Sequence, residues 1–585
     1  MGLECLFEQN TKRMDKGIIP GSRERTTFVL RYLLNTYYMK RILAFLVPVA
    51  LMAVSCCNST EQAQDGQRLF VGDDYAVTQT QYGKVQGYIL DGVYTYLGIP
   101  YGASTAGAGR FMPPQEPESW EGIRPAMFYG NDAPQAHQDK WKNNSSTFTD
   151  HWNYYDYSED CLNLNVWTPA PDAKKRPVLV WMHGGGFAAG NSIEQDGYHG
   201  ANLSRAGDIV FVSVNHRLNV FGFSDLSSAG PEFATSGNVG VLDLVAALQW
   251  VHNNIANFGG DPGNVTIMGQ SGGGAKVCDV LAMPSSKGLV HKVVGLSGNA
   301  ISAADQEGSK AIGAAILKTV KGDVKKLQEM PWEEYYALAN QVAAEVGTGG
   351  MMGGFAPVAD GIVLPKGNFF EDKTAASAGV PLMLCTTSSE FALSKENPTL
   401  EAISYEDAVK MVKENFGQPK AQEAMDALQK AFPKKKPIEL INMMVAQRTG
   451  VLATADAKYA QGGAPVYLAW FDYNAPLFGG RIRAFHCADI CYWFKNTDLM
   501  VTHTGGGAEP RGVSDQMSEA LLAFMRTGNP NCKAIPEWPA YTPEEGATMI
   551  FDVKSEVRNA PDREFLSLVE PFNPFRMMRA APAKK

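Results

Sequence analysis

The most constraining stretch of the chain is NVTIMGQSGGGAKVCDVLAM at residues 264–283. Its first six residues are mostly apolar and strand-like. Its last nine carry apolar groups at helical spacing, and a short Gly-rich turn joins the two. A strand that turns straight into a helix belongs to a sheet whose next strand lies parallel, because the helix must cross back over the sheet. The rest of the chain repeats this pattern. Residues 178–186 and 208–216 are strand-like, and 239–258 has apolar groups at helical spacing, stopped by Gly-Gly-Asp-Pro-Gly at 259–263. Residues 275–283 read as the helix after the turn, and 290–298 contain the next strand. The region 302–347 is Lys/Glu/Ala-rich and helical, and 381–387 and 465–472 are later strands. The expected fold class is α/β, with a mostly parallel central sheet flanked by helices on both faces.

Length alone suggests roughly four domains at about 150 residues each. Large α/β enzymes with long insertions fill the same length with one core, and a single domain over 71–575 is expected, with a flexible tail at 576–585. Lys and Arg number 52 against 61 Asp and Glu, a formal charge of −9. A dedicated nucleic-acid binder carries the opposite balance, so no nucleic-acid partner is expected. After residue 57 no stretch is long and apolar enough to cross a bilayer.

The N-terminus reads as an address. Met39 is followed by Lys40 and Arg41, an apolar run at 42–54, and then Ser55-Cys56. A charged start, a short apolar run and a small residue before a cut mark an export signal at 39–57. Ala53-Val54-Ser55-Cys56 resembles a bacterial lipobox, in which Cys56 is lipidated. The expectation is an exported lipoprotein anchored at a bacterial membrane, periplasmic or cell-surface, and otherwise a secreted protein. Residues 1–38 do not fit ahead of such a signal, so translation is expected to start at Met39. Residues 58–70 read as a polar tether.

The nine Cys show no zinc spacing, and Cys161, Cys278, Cys385, Cys487, Cys491 and Cys532 are expected as reduced thiols. The run PKKKP at 433–437 reads as a solvated turn between helices.

Gly269-Gln270-Ser271-Gly272-Gly273 matches G-x-S-x-G at the strand-to-helix turn. Such a turn thrusts the serine hydroxyl above the strand end and needs small neighbours. It also aims the Gly272 N–H, at the helix N-terminus, toward a developing oxyanion. A structural alternative is a tight turn with a capping serine. His183-Gly184-Gly185-Gly186, directly after the strand at 178–182, supplies further bare backbone donors and favours the catalytic reading.

A serine nucleophile needs a general base, and on this fold the chain order is Ser, acid, His. Six of the nine His precede Ser271, and His291 leaves no room for the acid. His486, between apolar groups before a helix, and His503, in a polar Gly-rich loop, remain. The acid should follow a strand, which places Glu390 just past 381–387. Asp360 in PVADG is the rival, and its Asp-Gly reads as a turn.

With these residues the chain resembles the type-B carboxylesterases, which include para-nitrobenzyl esterases and cholinesterases. SEDCLNLNVWTP at 158–169 and FGGDPGNVTIMGQSGGG at 258–274 are similar to the family's signatures. The segments 215–223, 237–251 and 355–361 are similar to further family stretches. The resemblance implies an α/β-hydrolase fold with large insertions around an active-site gorge. It implies Ser271, Glu390 and His486 as the triad and Gly185, Gly186 and Gly272 as the oxyanion hole. It implies ester hydrolysis through an acyl-enzyme, on a small-molecule ester, with no metal or organic cofactor. Gln270 and Gly272 stand where the family usually has Glu and Ala, and Ser389-Glu390-Phe391 replaces Asp-Glu-Gly. Cys161 matches a family disulfide cysteine, but the partner region at 129–135 has no Cys, so it is expected free. The aromatic segment at 141–157 reads either as a gorge lining or as a ring-pinned surface loop. Lys276 is expected to point away on its helix. The competing functions are a catalytically silent cholinesterase-like binding protein and an amidase or transacylase using the same triad.

Overall fold

The computed structural model describes residues 66–136, 156–347, 354–446 and 448–569. The expectations for 1–38, the export signal with Cys56, the tether up to residue 65, most of the aromatic segment (141–155) and the tail lie outside these residues. The chain divides into two compact units, one ending at Arg68 and one running from Leu69 onward. Every strand and helix among the described residues lies in the second.

Fifteen strands occur in chain order. The early ones are β1 (Leu69–Phe70), β2 (Val77–Thr80), β3 (Gly83–Gln86), β4 (Tyr88–Leu90), β5 (Val93–Pro100) and β6 (Ile123–Pro125). The middle ones are β7 (Asn163–Thr168), β8 (Arg176–Met182), β9 (Val210–Val214), β10 (Gly260–Gln270) and β11 (Lys292–Leu296). The last are β12 (Leu382–Thr387), β13 (Val466–Phe471), β14 (Ala547–Phe551) and β15 (Glu556–Asn559).

Twelve of them form one sheet in the order β1-β4-β5-β7-β9-β8-β10-β11-β12-β13-β14-β15. The run from β9 through β14 is parallel throughout. The β1-β4-β5-β7-β9 end and the β14–β15 edge are antiparallel. The parallel centre agrees with the sequence reading; the short antiparallel strands before residue 168 were not legible as strands.

The central strands are buried on both sides, and their alternate residues feed two cores. Val178, Val180, Val212, Ile267 and Leu384 face one core, while Leu179, Trp181, Phe211, Met268 and Met383 face the other. The first is covered by α1 (Val239–Asn254), α2 (Gly272–Ala282) and α3 (Arg448–Gln461), through Leu244, Leu248, Val280 and Val451. The second is covered by α4 (Ala508–Thr527), through Val513, Met517, Leu521 and Phe524. Strands buried on both faces read as continuous apolar runs, which is why they stood out in the sequence. The helix after the elbow begins at Gly272, three residues earlier than expected, because the glycines adopt helical geometry directly from Ser271.

A fully buried ion pair ties two of the family-like segments together. Arg217, in the turn after β9, donates from Nη2 to Asp243 Oδ1 at 2.6 Å and from Nε to Oδ2 at 2.8 Å, and its backbone N–H reaches Oδ2 at 3.0 Å. Asp243 lies in the N-terminal part of α1, so the pair fixes the chain that leaves β9 against the helix packed under the sheet.

Candidate active site

Ser271 stands between β10 and α2 with φ 56° and ψ −121°. A non-glycine residue holds such a conformation only where its surroundings enforce it. Its N–H donates to Leu296 O of the neighbouring strand at 2.8 Å, and its own carbonyl accepts from Ala275 at 3.2 Å in the first turn of α2. The sharp turn therefore leaves the side chain at the C-terminal end of the parallel sheet, where open α/β sheets place their sites.

The loop 183–190 approaches this turn from the end of β8. A Cβ on Gly272 would lie 2.2 Å from Gly186 O, so the two backbones meet at a distance only glycine allows. Gly185 has φ 80°, and a Cβ there would meet Ala189 O at 2.1 Å. The three glycines expected to line an oxyanion hole thus lie on two segments in direct contact.

Glu390 and His486 are tied twice. His486 Nδ1 lies 2.6 Å from Glu390 Oε2, and the His486 N–H donates to Glu390 O at 2.9 Å. Glu390 is fully buried just past β12, and its other oxygen accepts from the Thr387 N–H at 3.0 Å. The His486 side chain is 21 % exposed, facing outward from its carboxylate. On its other ring nitrogen, Nε2, the partner is the Gln270 side-chain amide at 3.2 Å. Among the described residues no hydrogen bond joins Ser271 Oγ to His486.

Electrostatics around the ring were not legible beforehand. Burial opposes the charged form of His486, but the side chain of Cys487, through charge and a hydrogen bond, and then Glu390 outweigh it, and the ring's pKa stands well above the ordinary imidazole value. Three residues on, Asp489 is fully buried, with Oδ2 accepting from Trp493 Nε1 at 3.1 Å. Burial first, and then the nearby Glu390 charge, push its carboxyl up to about 7.

The rival residues sit elsewhere. Asp360 Oδ1 accepts from the N–H groups of Ile362, Val363 and Leu364, the turn its Asp-Gly predicts. His503 corrects the expectation of a solvated loop: it is buried in a short helix, Val501–Thr504, edge-on to Phe485 at 5.1 Å. Lys276 corrects another. It is fully buried under the 183–190 loop and donates from Nζ to His183 O at 2.9 Å. In the run at 433–437 the turn is as expected, but Lys435 is mostly buried and pairs with Asp472 at 2.7 Å. Cys161 is buried, and among the described residues neither it nor any other cysteine forms a disulfide.

A nucleophile elbow on the central parallel strand, with an acid and a histidine following later strands in that chain order, is the architecture of the α/β-hydrolases. The chain belongs to the carboxylesterase family, which it matches over residues 74–568. The para-nitrobenzyl esterase of Bacillus subtilis (strain 168) is 33 % identical over 496 residues, covering 84 % of this chain and 97 % of that protein. Liver carboxylesterase 1 of Oryctolagus cuniculus is 31 % identical over 533 residues, covering 83 % and 92 %. Among solved structures, an esterase of Clostridium hathewayi described as hydrolysing aliphatic aromatic polyesters superposes with a TM-score of 0.74 at 35 % identity, over 86 % of this chain and 99 % of that one. The protein is a carboxylic-ester hydrolase.

Proposed function

We propose that Ser271, His486 and Glu390 are nucleophile, base and orienting acid of a serine esterase, with Gly185, Gly186 and Gly272 donating to the oxyanion. The observation that carries this reading is the double tie between Glu390 and His486 beside the Ser271 elbow. The carboxylate accepts a hydrogen bond from Nδ1–H and so selects the tautomer whose Nε2 lone pair is free to take a proton. For reaction, the Gln270 amide yields Nε2 to the Ser271 hydroxyl.

In the first half-reaction Ser271 Oγ attacks the ester carbonyl carbon and passes its proton to His486 Nε2. The carbonyl oxygen gains the negative charge and is held by the glycine N–H groups. The intermediate collapses, the C–O bond to the alcohol breaks, and His486 returns the proton to the departing oxygen. Water then repeats the sequence on the acyl-serine, and its proton passes through His486 to Ser271 as the acid leaves.

The test is burst and steady-state hydrolysis of short and medium p-nitrophenyl esters by wild type and Ser271→Ala. Loss of turnover in the folded variant is expected; equal turnover would remove Ser271 as nucleophile. Because the Clostridium hathewayi relative is described as acting on aliphatic aromatic polyesters, esters of aromatic acids belong in the same panel.

The lipobox-like Ala53-Val54-Ser55-Cys56 supports export and lipid anchoring through Cys56. Mass spectrometry of the mature N-terminus is expected to find a diacylglyceryl-modified Cys56, and an unmodified N-terminus elsewhere would reject the anchor.

A further inference from the structure

Lys276 lies on α2, five residues past the elbow serine, and has no solvent exposure. Its Nζ donates to the carbonyl of His183, the residue immediately before Gly184-Gly185-Gly186, at 2.9 Å. It also stands over the Phe187 ring, 5.8 Å from its centroid. Around it lie the stacked rings of His183 and His216, 5.2 Å apart, whose Nε2 atoms are buried without hydrogen-bond partners among the described residues. Burial first, and then the Lys276 charge, hold both rings well below the ordinary imidazole value, which disfavours a second positive charge beside the lysine. The acids whose charge acts on it are Glu194 and then Asp279. Burial pushes the Lys276 ammonium down to about 7, against those two acids.

Burying an amine of this kind is unfavourable in a way that an apolar residue of similar volume would avoid. What it does in return is geometric. It is rooted on the helix that begins at Gly272 and bonds the residue just before the tri-glycine run, so one side chain bridges the two halves of the proposed donor group.

Building on the serine-esterase reading, we propose that Lys276 is a positioning residue: its bond to the His183 carbonyl holds the tri-glycine loop at the spacing from Gly272 that lets all three N–H groups converge on the oxyanion. Among the described residues Lys276 forms no hydrogen bond to Ser271; its contacts are the His183 carbonyl and the Phe187 ring. Its effect belongs to the transition state, where alignment of donors matters most.

The experiment compares Lys276→Met, which keeps the length and removes the donor, with Lys276→Gln, which restores a neutral one. Each is assayed with a short p-nitrophenyl ester and with an aryl trifluoromethyl ketone, which forms a tetrahedral adduct on the serine. Fluorophosphonate labelling counts competent sites, and Ser271→Ala is run alongside. For Lys276→Met, kcat should fall about 10- to 100-fold with KM within about twofold, less than outright loss of a donor. Ketone affinity should fall in step with kcat/KM, and Lys276→Gln should recover part of both. Wild-type kcat and ketone affinity in a folded Lys276→Met would overturn the proposal. So would Lys276→Gln being no better than Lys276→Met, or failure of both to fold, since the residue would then serve stability alone. If Lys276→Met alone fails to fold, the folded Lys276→Gln decides: kcat and ketone affinity lowered together at unchanged KM support the proposal, and wild-type values of both overturn it. Turnover by Ser271→Ala equal to wild type would instead reject the serine reading itself, whatever the lysine variants do.

Discussion

The side-chain amide of Gln270 sits 3.2 Å from Nε2 of His486, on the ring nitrogen opposite the one held by Glu390. The residue before Ser271 therefore touches the proposed base. As an amide it adds no charge there. A carboxylate in the same place would favour the imidazolium. Gln270→Glu is expected to move the acid limb of kcat/KM to higher pH by about one unit, with the alkaline plateau retained. A pH–rate profile of the variant beside wild type checks this, and an unmoved limb would show that the amide contact is not kept in solution.

Cys487 is expected to set where the wild-type limb falls. The ring acts as base only when neutral, and a raised pKa keeps it protonated over a wider acid range. Activity should therefore be lost on the way down at a pH above the ordinary imidazole value of about 6.5. Cys487 is the leading cause of the rise, since burial acts the other way. Cys487→Ala should shift the limb to lower pH, readable in the same profile.

Glu390→Gln keeps the shape of the acid but presents an N–H or a neutral oxygen to Nδ1. With the tautomer no longer imposed, kcat should fall about 10³- to 10⁴-fold while KM changes little. Steady-state kinetics with a p-nitrophenyl ester are the measurement. A loss below tenfold would make Glu390 a structural partner of His486 only.

Gly272→Ala tests the contact between the elbow and the tri-glycine loop. The added methyl would lie 2.2 Å from Gly186 O, so one backbone must move. Displacing a donor of this kind costs about 10²–10³ in kcat when the donor is lost outright, and a result in or somewhat below that range is expected. Unchanged kcat would mean the loop can retreat without leaving the oxyanion.

Asp243→Ala leaves the Arg217 guanidinium buried without its carboxylate. The expected destabilisation is about 3–5 kcal/mol. Denaturant unfolding of the variant reads it directly, and a shift under about 1 kcal/mol would show that the guanidinium finds other partners.

Much of the site was legible because its signals are local. The apolar strand, the G-x-S-x-G turn and the helix periodicity of α1 each lie within a few consecutive residues. Glu390 and His486 were reachable from the order of elements and from the family resemblance, not from their own surroundings. Other features left no such trace. Lys276 reads as an ordinary helix lysine until β8 is laid beside α2, and His503 as a loop residue until Phe485 packs against it. The two- to four-residue antiparallel strands at 69–90 are too short for a period to show.

The amino-acid sequence by itself determined the α/β class, the parallel centre of the sheet, the elbow serine and the glycines around it. These come from hydrophobic period and from the backbone demands of one turn, both properties of neighbouring residues. Only the tertiary structure decided that Gln270 meets His486, that Cys487 and Glu390 act on the ring's charge, and that Lys276 lies under the 183–190 loop. Those are relations between segments far apart in the chain. They arise because burial strips water from polar groups, and each such group then takes whatever partner the packing of the sheet and its helices brings within reach.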